Sequence, residues 1–115
     1  MTKSKRSAGN LVYDHMRVRF TLEALTHIAG IRFYIEQRSP QAAIYITERI
    51  FAEADRLGEF PQLGRIGIVP GTYEWTVPRL PYIIVHELHE DGDEVIVLGV
   101  FHGAQARRAD PRAVV

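Results

Sequence analysis

The feature that most constrains the fold of this chain is a pair of helical segments joined by a very short connection. Apolar residues recur at spacings of three and four over about 22–37, behind Thr21 as a predicted N-cap. A Ser39-Pro40 pair then opens a second helix, because serine is a preferred N-cap and proline a preferred first helical residue. That helix is predicted to end near Gly58, where a C-terminal glycine is expected. So short a connection requires the two helices to fold back as an antiparallel hairpin.

Outside the helices, the apolar pattern is that of strands and one loop. Residues 16–20 and 73–77 alternate apolar and polar side chains, which is typical of half-buried strands. A nearly continuous apolar run over 82–89 indicates a central strand, and an Asp-Gly turn joins it to a strand over about 94–101. Residues 58–71 are rich in glycine and proline, and we expect a loop there that lies over the core.

The order of these segments is strand, helix, helix, strand, strand, strand. Helices grouped before a run of strands favour an α+β fold, with the helical hairpin packed on one face of a mainly antiparallel sheet. The first strand has no partner nearby in sequence, so we expect it to join the same sheet. Residues 16–106 are predicted to form a single domain, residues 1–15 a disordered leader or a tag, and residues 107–115 a polar tail.

Composition excludes several classes of site. The 115 residues contain no cysteine, which rules out disulfides, zinc–thiolate sites, iron–sulfur clusters and a thiol nucleophile. No apolar run approaches the ~20 residues of a membrane span, so we expect a cytoplasmic protein without a membrane partner. Fourteen basic residues balance fourteen acidic ones, and the first fifteen residues carry a net charge of +2, which leaves −2 for the remainder. A slightly acidic body argues against direct binding of nucleic acid through many phosphate contacts.

Few residues offer chemistry, and none forms a metal or cofactor motif. His86 and His89 stand three apart on a predicted strand and point to opposite faces, so we expect neither a metal nor a cofactor. His102 is a better candidate, because it ends an apolar strand beside a glycine, a common place for a site. Arg79 lies in a turn bracketed by prolines, and Arg65 lies between two glycines. The simpler interpretation of all three is a strand-end histidine and two solvated arginines.

The predicted tip of the last hairpin is strongly acidic. Residues 87–94 contain five acidic side chains, and no lysine or arginine occurs between Arg79 and Arg107. A solvated hairpin tip is the simpler interpretation, and a docking site for a basic partner is the alternative.

Several segments together resemble a known family. The chain contains MRVRFT from Met16, FPQLGRIG from Phe60, VPRLPYIIV from Val77 and VLGVFHGAQ ending at Gln105. Their order and spacing resemble the RelE/ParE superfamily of bacterial type II toxins over about residues 16–105, with the ParE branch, associated with plasmid stabilisation, as the closest. The resemblance implies a growth-inhibiting toxin that is neutralised by a cognate antitoxin, ParD-like or similar, in a toxin–antitoxin hetero-oligomer.

The favoured function follows the ParE branch, which is associated with poisoning DNA gyrase without catalysis by the toxin itself. The contact surface for gyrase is then expected at the end of the last strand and in the tail, at His102, Gln105, Arg107 and Arg108.

The alternative follows the RelE branch, which cuts mRNA on the ribosome. Metal-free cleavage needs an acid, a base and cations around the phosphate. Arg65, Arg79 and His102 could supply part of that set. A third hypothesis is a detoxified member that survives as an antitoxin-binding module.

The antitoxin surface is predicted on the helices. Their apolar content exceeds what one small sheet can cover, and four large side chains lie off the predicted core stripes. We expect some of them to form an exposed groove for an antitoxin segment. These four residues are Leu22, Phe33, Tyr34 and Tyr45.

Overall fold

The structure is a computed structural model that describes residues 15–103. Its order of elements confirms the predicted strand, helical hairpin and three strands, and adds one short strand inside the segment predicted to be a loop. Apart from His15, the predicted leader lies outside the described residues, as does the predicted tail. The elements are β1 (Arg17–Phe20), α1 (Leu22–Glu36), α2 (Pro40–Glu59), β2 (Arg65–Ile66), β3 (Tyr73–Thr76), β4 (Tyr82–His89) and β5 (Glu94–His102).

The five strands form one sheet in the order β1-β5-β4-β3-β2. β1 pairs with β5 in parallel and the other neighbours are antiparallel, so the predicted α+β fold with a mainly antiparallel sheet is confirmed. The expected pairing of the first strand within this sheet is also confirmed. The core lies between the sheet and the helices, and its largest fully buried apolar side chains are Ile50, Leu57, Ile84, Val77, Val95 and Val97.

Both helices begin at the predicted capping residues. The Thr21 hydroxyl accepts a hydrogen bond from the amide of Ala24 at 3.1 Å, and the Ser39 hydroxyl accepts one from the amide of Ala42 at 3.1 Å. These bonds satisfy amide groups that the first turn of a helix leaves without partners. The two local signals therefore set where each arm of the hairpin starts.

Helix α2 ends within two residues of the predicted position, but Gly58 is not its cap. The helix continues to Glu59, and Phe60 follows as its cap. The chain before β1 passes close to Gly58, and the Met16 amide donates to the Gly58 carbonyl at 2.8 Å. A Cβ atom on Gly58 would lie 2.5 Å from the Met16 carbonyl oxygen. The glycine allows the chain before β1 to approach the helix closely, a role that the sequence pattern does not distinguish from a helix stop.

Helix α1 covers the edge of β5 where β1 ends. The Thr21 amide donates to the Val97 carbonyl at 3.0 Å, which continues the pairing of β1 with β5. Further along, the Val100 amide donates to Nδ1 of His27 at 3.2 Å. β1 ends before this point, so the histidine of α1 accepts the hydrogen bond in place of a strand carbonyl. A ring that accepts at Nδ1 carries its proton on Nε2. Helix α1 therefore runs alongside β5 toward His102.

The sheet has two chemically different ends. One is the β4–β5 tip with its flanking residues, 87–94, where Asp93 takes a left-handed backbone with φ of 56°. We name this the acidic end. The opposite end holds the β3–β4 turn, the last residue of β5 and the neighbouring parts of both helices. We name it the Arg79 end and define it by Tyr34, Arg38, Arg49, Arg79, Tyr82 and His102.

Candidate functional site

The predicted site histidine, His102, is exposed at the Arg79 end as the last residue of β5. It pairs with Tyr82, the first residue of β4, and the two rings meet edge to face with their centroids 5.7 Å apart. Directly paired residues share one face of a sheet, and this face is the one that the helices cover. His102 is therefore supported by a buried aromatic ring.

Tyr82 connects this pair to the first helix. Burial raises the pKa of Tyr82 above its ordinary value, and the nearby Tyr34 hydroxyl raises it further. The guanidinium carbon of Arg38 lies 5.6 Å from the centre of the Tyr34 ring, within cation–π range. The end of α1 thus adds an aromatic ring and a cation to the end of the sheet where His102 lies.

Arg79 lies in a tight turn between β3 and β4 and is exposed. The Leu80 amide donates to the Val77 carbonyl at 3.1 Å, which closes a four-residue turn with Pro78 second and Arg79 third. Arg79 has φ of 69°, which identifies a type II turn, whose third position favours glycine or asparagine. The left-handed conformation costs other residues about 1 kcal/mol or more. An exposed arginine held under such strain is a candidate functional residue.

A second arginine holds this turn from helix α2. Arg49 Nη2 donates to the Pro78 carbonyl oxygen at 3.0 Å and lies 3.8 Å from a carboxylate oxygen of Glu53. Glu53 is buried and accepts a hydrogen bond from Trp75 Nε1 at 2.8 Å. Arg49 is not among the residues predicted from the sequence. The available signal is the i,i+4 spacing of Arg49 and Glu53, which many solvated helix pairs share.

Arg65 does not lie with the other two cleavage candidates. It pairs with Glu74 and, through β4, aligns with Gly99 of β5. Side chains at these positions alternate with those that contact the helices, so Arg65 is on the opposite face of the sheet from His102. The register separates their backbone positions by roughly 17 Å. The structure therefore brings His102 and Arg79 to one end of the sheet, and places Arg65 elsewhere.

The remaining residues of the predicted gyrase surface are not among those that the structure describes. Gln105, Arg107 and Arg108 lie outside residues 15–103. His102 is the member of that predicted set whose position is described.

The four residues predicted to bind an antitoxin are all exposed on the helical hairpin. Their exposed fractions are 76% for Leu22, 66% for Phe33, 63% for Tyr34 and 55% for Tyr45. Phe33 and Tyr34 lie near the end of α1 and Tyr45 near the start of α2, so these three flank the connection between the helices. Leu22 begins α1 and lies about 17 Å from Phe33 along the helix axis. Two further exposed apolar residues on these helices, not predicted, are Leu25 and Ile44.

Within residues 15–103, no group of three histidine, aspartate or glutamate side chains is placed to hold a metal ion. His86 is fully buried, whereas His89 is partly exposed and lies 2.7 Å from a carboxylate oxygen of Glu87. Across the same residues, neither helix is long and apolar enough to cross a bilayer.

Two curated relatives resemble most of this chain. Protein Y4kP of Sinorhizobium fredii (strain NBRC 101917 / NGR234), named as a candidate toxin, is 38% identical over 89 residues, which cover 77% of this chain and 90% of the relative. Toxin RelE2 of Caulobacter vibrioides is 38% identical over 68 residues, which cover 59% of this chain and 75% of the relative.

A solved structure with a similar fold and a family profile also match this chain. The chromosomal ParDE TA system from P. aeruginosa superposes with a TM-score of 0.67 at 22% identity, covering 76% of this chain and 96% of that one. At this level of identity the likeness concerns the fold. The profile of the family described as the ParE toxin of type II toxin–antitoxin system, parDE, matches residues 18–107. Because that match spans most of the sequence, the chain belongs to the ParE toxin family of type II toxin–antitoxin systems.

Proposed function

We propose that this toxin inhibits growth by binding DNA gyrase in the cytoplasm, without itself catalysing a reaction. Membership of the ParE family supports gyrase as the target, as the resemblance to that branch implies. The observation that carries the non-catalytic part of the proposal is the position of Arg65, on the opposite face of the sheet from His102. The three cleavage candidates do not form one site, whereas His102 and Arg79 share an exposed end that suits binding.

The distance between these groups weighs against cleavage. In metal-free RNA cleavage, the acid, the base and the cations must all reach one phosphate, with proton donors and acceptors about 3 Å from the reacting oxygens. An arginine on the far face, with its backbone roughly 17 Å away across the sheet, cannot reach a phosphate held at His102. A binding surface has no such requirement, because its contacts spread over many residues.

The contact surface that we propose lies at the Arg79 end and continues into the residues that follow His102. Arg79 joins the four predicted residues, because the Gly103 amide donates to the Pro81 carbonyl at 2.6 Å and so ties the end of β5 to the Arg79 turn. The proposed surface therefore contains Arg79, His102, Gln105, Arg107 and Arg108.

Supercoiling by purified gyrase tests the proposal. The toxin should inhibit it, and Arg79→Ala and His102→Ala should each weaken inhibition by about tenfold, the usual effect of removing a central interface residue. Arg65→Ala is the matched control, since it removes an exposed arginine from the remote face. The proposal fails if the wild-type toxin leaves gyrase unaffected. If Arg65→Ala is as damaging as His102→Ala, Arg65 contributes to the gyrase contact and the proposed surface is wrong.

A ribosome-dependent mRNA endonuclease is the second candidate, favoured by the 38% identity to Toxin RelE2 over 68 residues. In that function His102 and Arg79 act on RNA. Mapping of mRNA 5′ ends after induction separates the two candidates, because the endonuclease produces new ends within translated codons and the gyrase-binding toxin produces none. A chain that affects neither target and still binds an antitoxin is the detoxified module.

We further propose that a cognate antitoxin, ParD-like or similar, covers the exposed apolar face of the helical hairpin. The family and the P. aeruginosa structure are both described as parts of toxin–antitoxin systems, which supports such a partner. The exposed aromatic side chains of Phe33, Tyr34 and Tyr45 support this location. Large apolar groups that flank one another on a surface are typical of a protein–protein interface.

Co-purification with the product of the neighbouring small gene tests this surface. Phe33→Glu and Tyr45→Glu should abolish co-purification, because each places a charge in an apolar contact. Gln62→Glu makes the same change in charge at an exposed loop position and should retain the complex. Equal binding by all three variants would contradict the proposed surface, and a wild-type toxin that never binds the partner would contradict the pairing.

A further inference from the structure

We infer that Arg49 is a positioning residue that sets the direction of Arg79 by fixing the peptide between Pro78 and Arg79. The importance of that direction rests on the proposed function, in which Arg79 contacts the target. The hydrogen bond from Arg49 Nη2 to the Pro78 carbonyl, 3.0 Å long, carries the inference.

The chemistry of the turn explains why this bond matters. Type I and type II turns differ mainly in the orientation of their central peptide, whose carbonyl here belongs to Pro78. An arginine in the third position favours type I, where its φ is about −90°. The observed φ of Arg79 is 69°, the type II value. Pro78 in the second position suits both forms, whereas Arg79 in the third position disfavours the form observed, so a contact from outside the turn can decide between them.

Arg49 can make that selection because its guanidinium is fixed independently of the turn. Its side chain is 24% exposed, and the Glu53 carboxylate beside it is 9% exposed. Glu53 is held in turn by Trp75 of β3, and Arg49 Nη1 lies 3.4 Å from the Tyr45 hydroxyl. A charged donor placed in this way stabilises the one peptide orientation that presents a carbonyl oxygen to it.

The consequence concerns the Arg79 side chain. A flip of the central peptide moves φ of Arg79 from the left-handed region to about −90° and redirects its Cα–Cβ bond. Without Arg49, the turn still closes, but Arg79 presents its guanidinium in another direction. Arg49 acts through Arg79 in this account and does not itself touch the target.

Nuclear Overhauser contacts in the free toxin test the orientation directly. A type II turn brings the Pro78 Hα close to the Arg79 amide proton, so the wild type should show a strong cross-peak. Arg49→Gln should lose that peak. Arg49→Gln combined with Arg79→Gly should recover it, because glycine adopts the left-handed conformation without strain. An unchanged peak in Arg49→Gln overturns the inference. If Arg49→Gln does not fold, Glu53→Gln replaces it, with a weakened peak expected and an unchanged one contradicting the inference.

Gyrase inhibition tests the functional part. Arg49→Gln should lose about as much inhibition as Arg79→Ala, roughly tenfold, and the double variant should lose no more than either one. Additive losses would overturn the inference, since they indicate that Arg49 contacts the target itself. So would full activity in Arg49→Gln beside a loss in Arg79→Ala. Full activity of Arg79→Ala counts against the proposed contact surface instead, and the cross-peak still decides whether Arg49 orients the turn.

Discussion

Arg79 occupies a backbone conformation that glycine adopts freely and arginine does not, with φ of 69°. Such strain persists where surrounding contacts impose it, and here the Arg49 hydrogen bond to Pro78 does so. The side chain is exposed, so burial of the arginine does not explain its presence. An exposed, strained residue at the same end of the sheet as His102 is consistent with binding to a partner. Replacement of this residue should then have opposite effects on stability and on function.

We predict that Arg79→Gly keeps or raises the stability of the fold while it weakens toxicity. Relief of the left-handed strain contributes about 1 kcal/mol, which the greater flexibility of glycine in the unfolded chain partly offsets. Thermal unfolding and growth inhibition, measured on the same variant, check the prediction. A less stable but fully toxic Arg79→Gly would show that the strain and the side chain have been assigned the wrong roles.

His86 is a buried polar residue outside the proposed contact surface. Its ring lies 6.0 Å from that of Tyr73, and Gly64 packs so close that a Cβ there would lie 2.8 Å from the ring. Its Nε2 atom has no hydrogen-bond partner among the described residues. Burial lowers the pKa of His86 below its ordinary value of 6.5, although a hydrogen bond with the Ile84 carbonyl acts in the opposite direction. The folded state therefore holds this ring neutral.

This burial predicts a loss of stability in mild acid. As the pH falls below about 6.5, the unfolded chain binds a proton at His86 that the folded chain excludes, so the free energy of unfolding falls by at most about 1.4 kcal/mol per pH unit from this group. His86→Leu removes that contribution. Denaturant unfolding between about pH 7.5 and pH 5.5 should show a smaller loss for His86→Leu than for the wild type. Equal losses would contradict this assignment.

The sequence was informative about candidate residues that a local pattern marks. His102 is found at a strand end beside glycine, and Arg79 between two prolines, and the structure places both at one end of the sheet. Arg49 could not be found in this way, because its contact with Pro78 joins positions 29 residues apart. The separation of Arg65 from His102 depends on strand order and register, which alternation of side chains does not specify.

Gly30 and Gly58 both lie in helices, but only Gly58 is packed against another part of the chain. A Cβ on Gly58 would collide with the Met16 carbonyl, whereas a Cβ on Gly30 meets nothing within 4 Å. Gly58→Ala should therefore destabilise the fold by about 1–3 kcal/mol, as overpacking does. Gly30→Ala should stabilise it by about 0.5–1 kcal/mol, because alanine is the better helix former. Chemical denaturation measures both, and similar values for the two variants would contradict the packing of β1 on α2.

The elements that could be predicted are those with strong local signals. Capping side chains set the starts of both helices, and alternation identified β1 and β3. β2 was not predicted, because its two residues, Arg65 and Ile66, are too few to show a period. Gly58 was given the wrong role, as a helix stop, because a glycine needed for close packing resembles a glycine that stops a helix. Tertiary contacts decide both cases.

At the scale of the molecule, charge is divided between the two ends of the sheet. The acidic end carries five carboxylates, of which Glu94 lies 3.2 Å from Arg17 and 3.5 Å from Arg19. The Arg79 end carries the guanidinium groups of Arg38, Arg49 and Arg79. The two ends therefore differ in charge, because five carboxylates face two arginines at the acidic end, whereas three arginines and Glu53 lie at the Arg79 end. This difference favours the approach of an anionic partner at the Arg79 end.

This polarity predicts which charges control association with the target. Arg38→Glu should slow association with gyrase by about threefold or more at low salt, and the effect should shrink as salt screens it. Glu90→Lys reverses a charge at the acidic end and should leave the rate nearly unchanged. Surface-based kinetics at two salt concentrations give both rates. A larger effect from Glu90→Lys than from Arg38→Glu would mean that the target docks at the acidic end.

Pulse labelling of DNA and protein synthesis after induction in a bacterial host is the measurement that separates gyrase from the ribosome as the target. A toxin that binds gyrase should halt DNA synthesis first, with protein synthesis declining later. His102→Ala and Arg79→Ala should delay that halt, and Arg65→Ala should not. Protein synthesis that stops within minutes while DNA synthesis continues would contradict gyrase as the target. It would assign His102 and Arg79 to cleavage of mRNA on the ribosome.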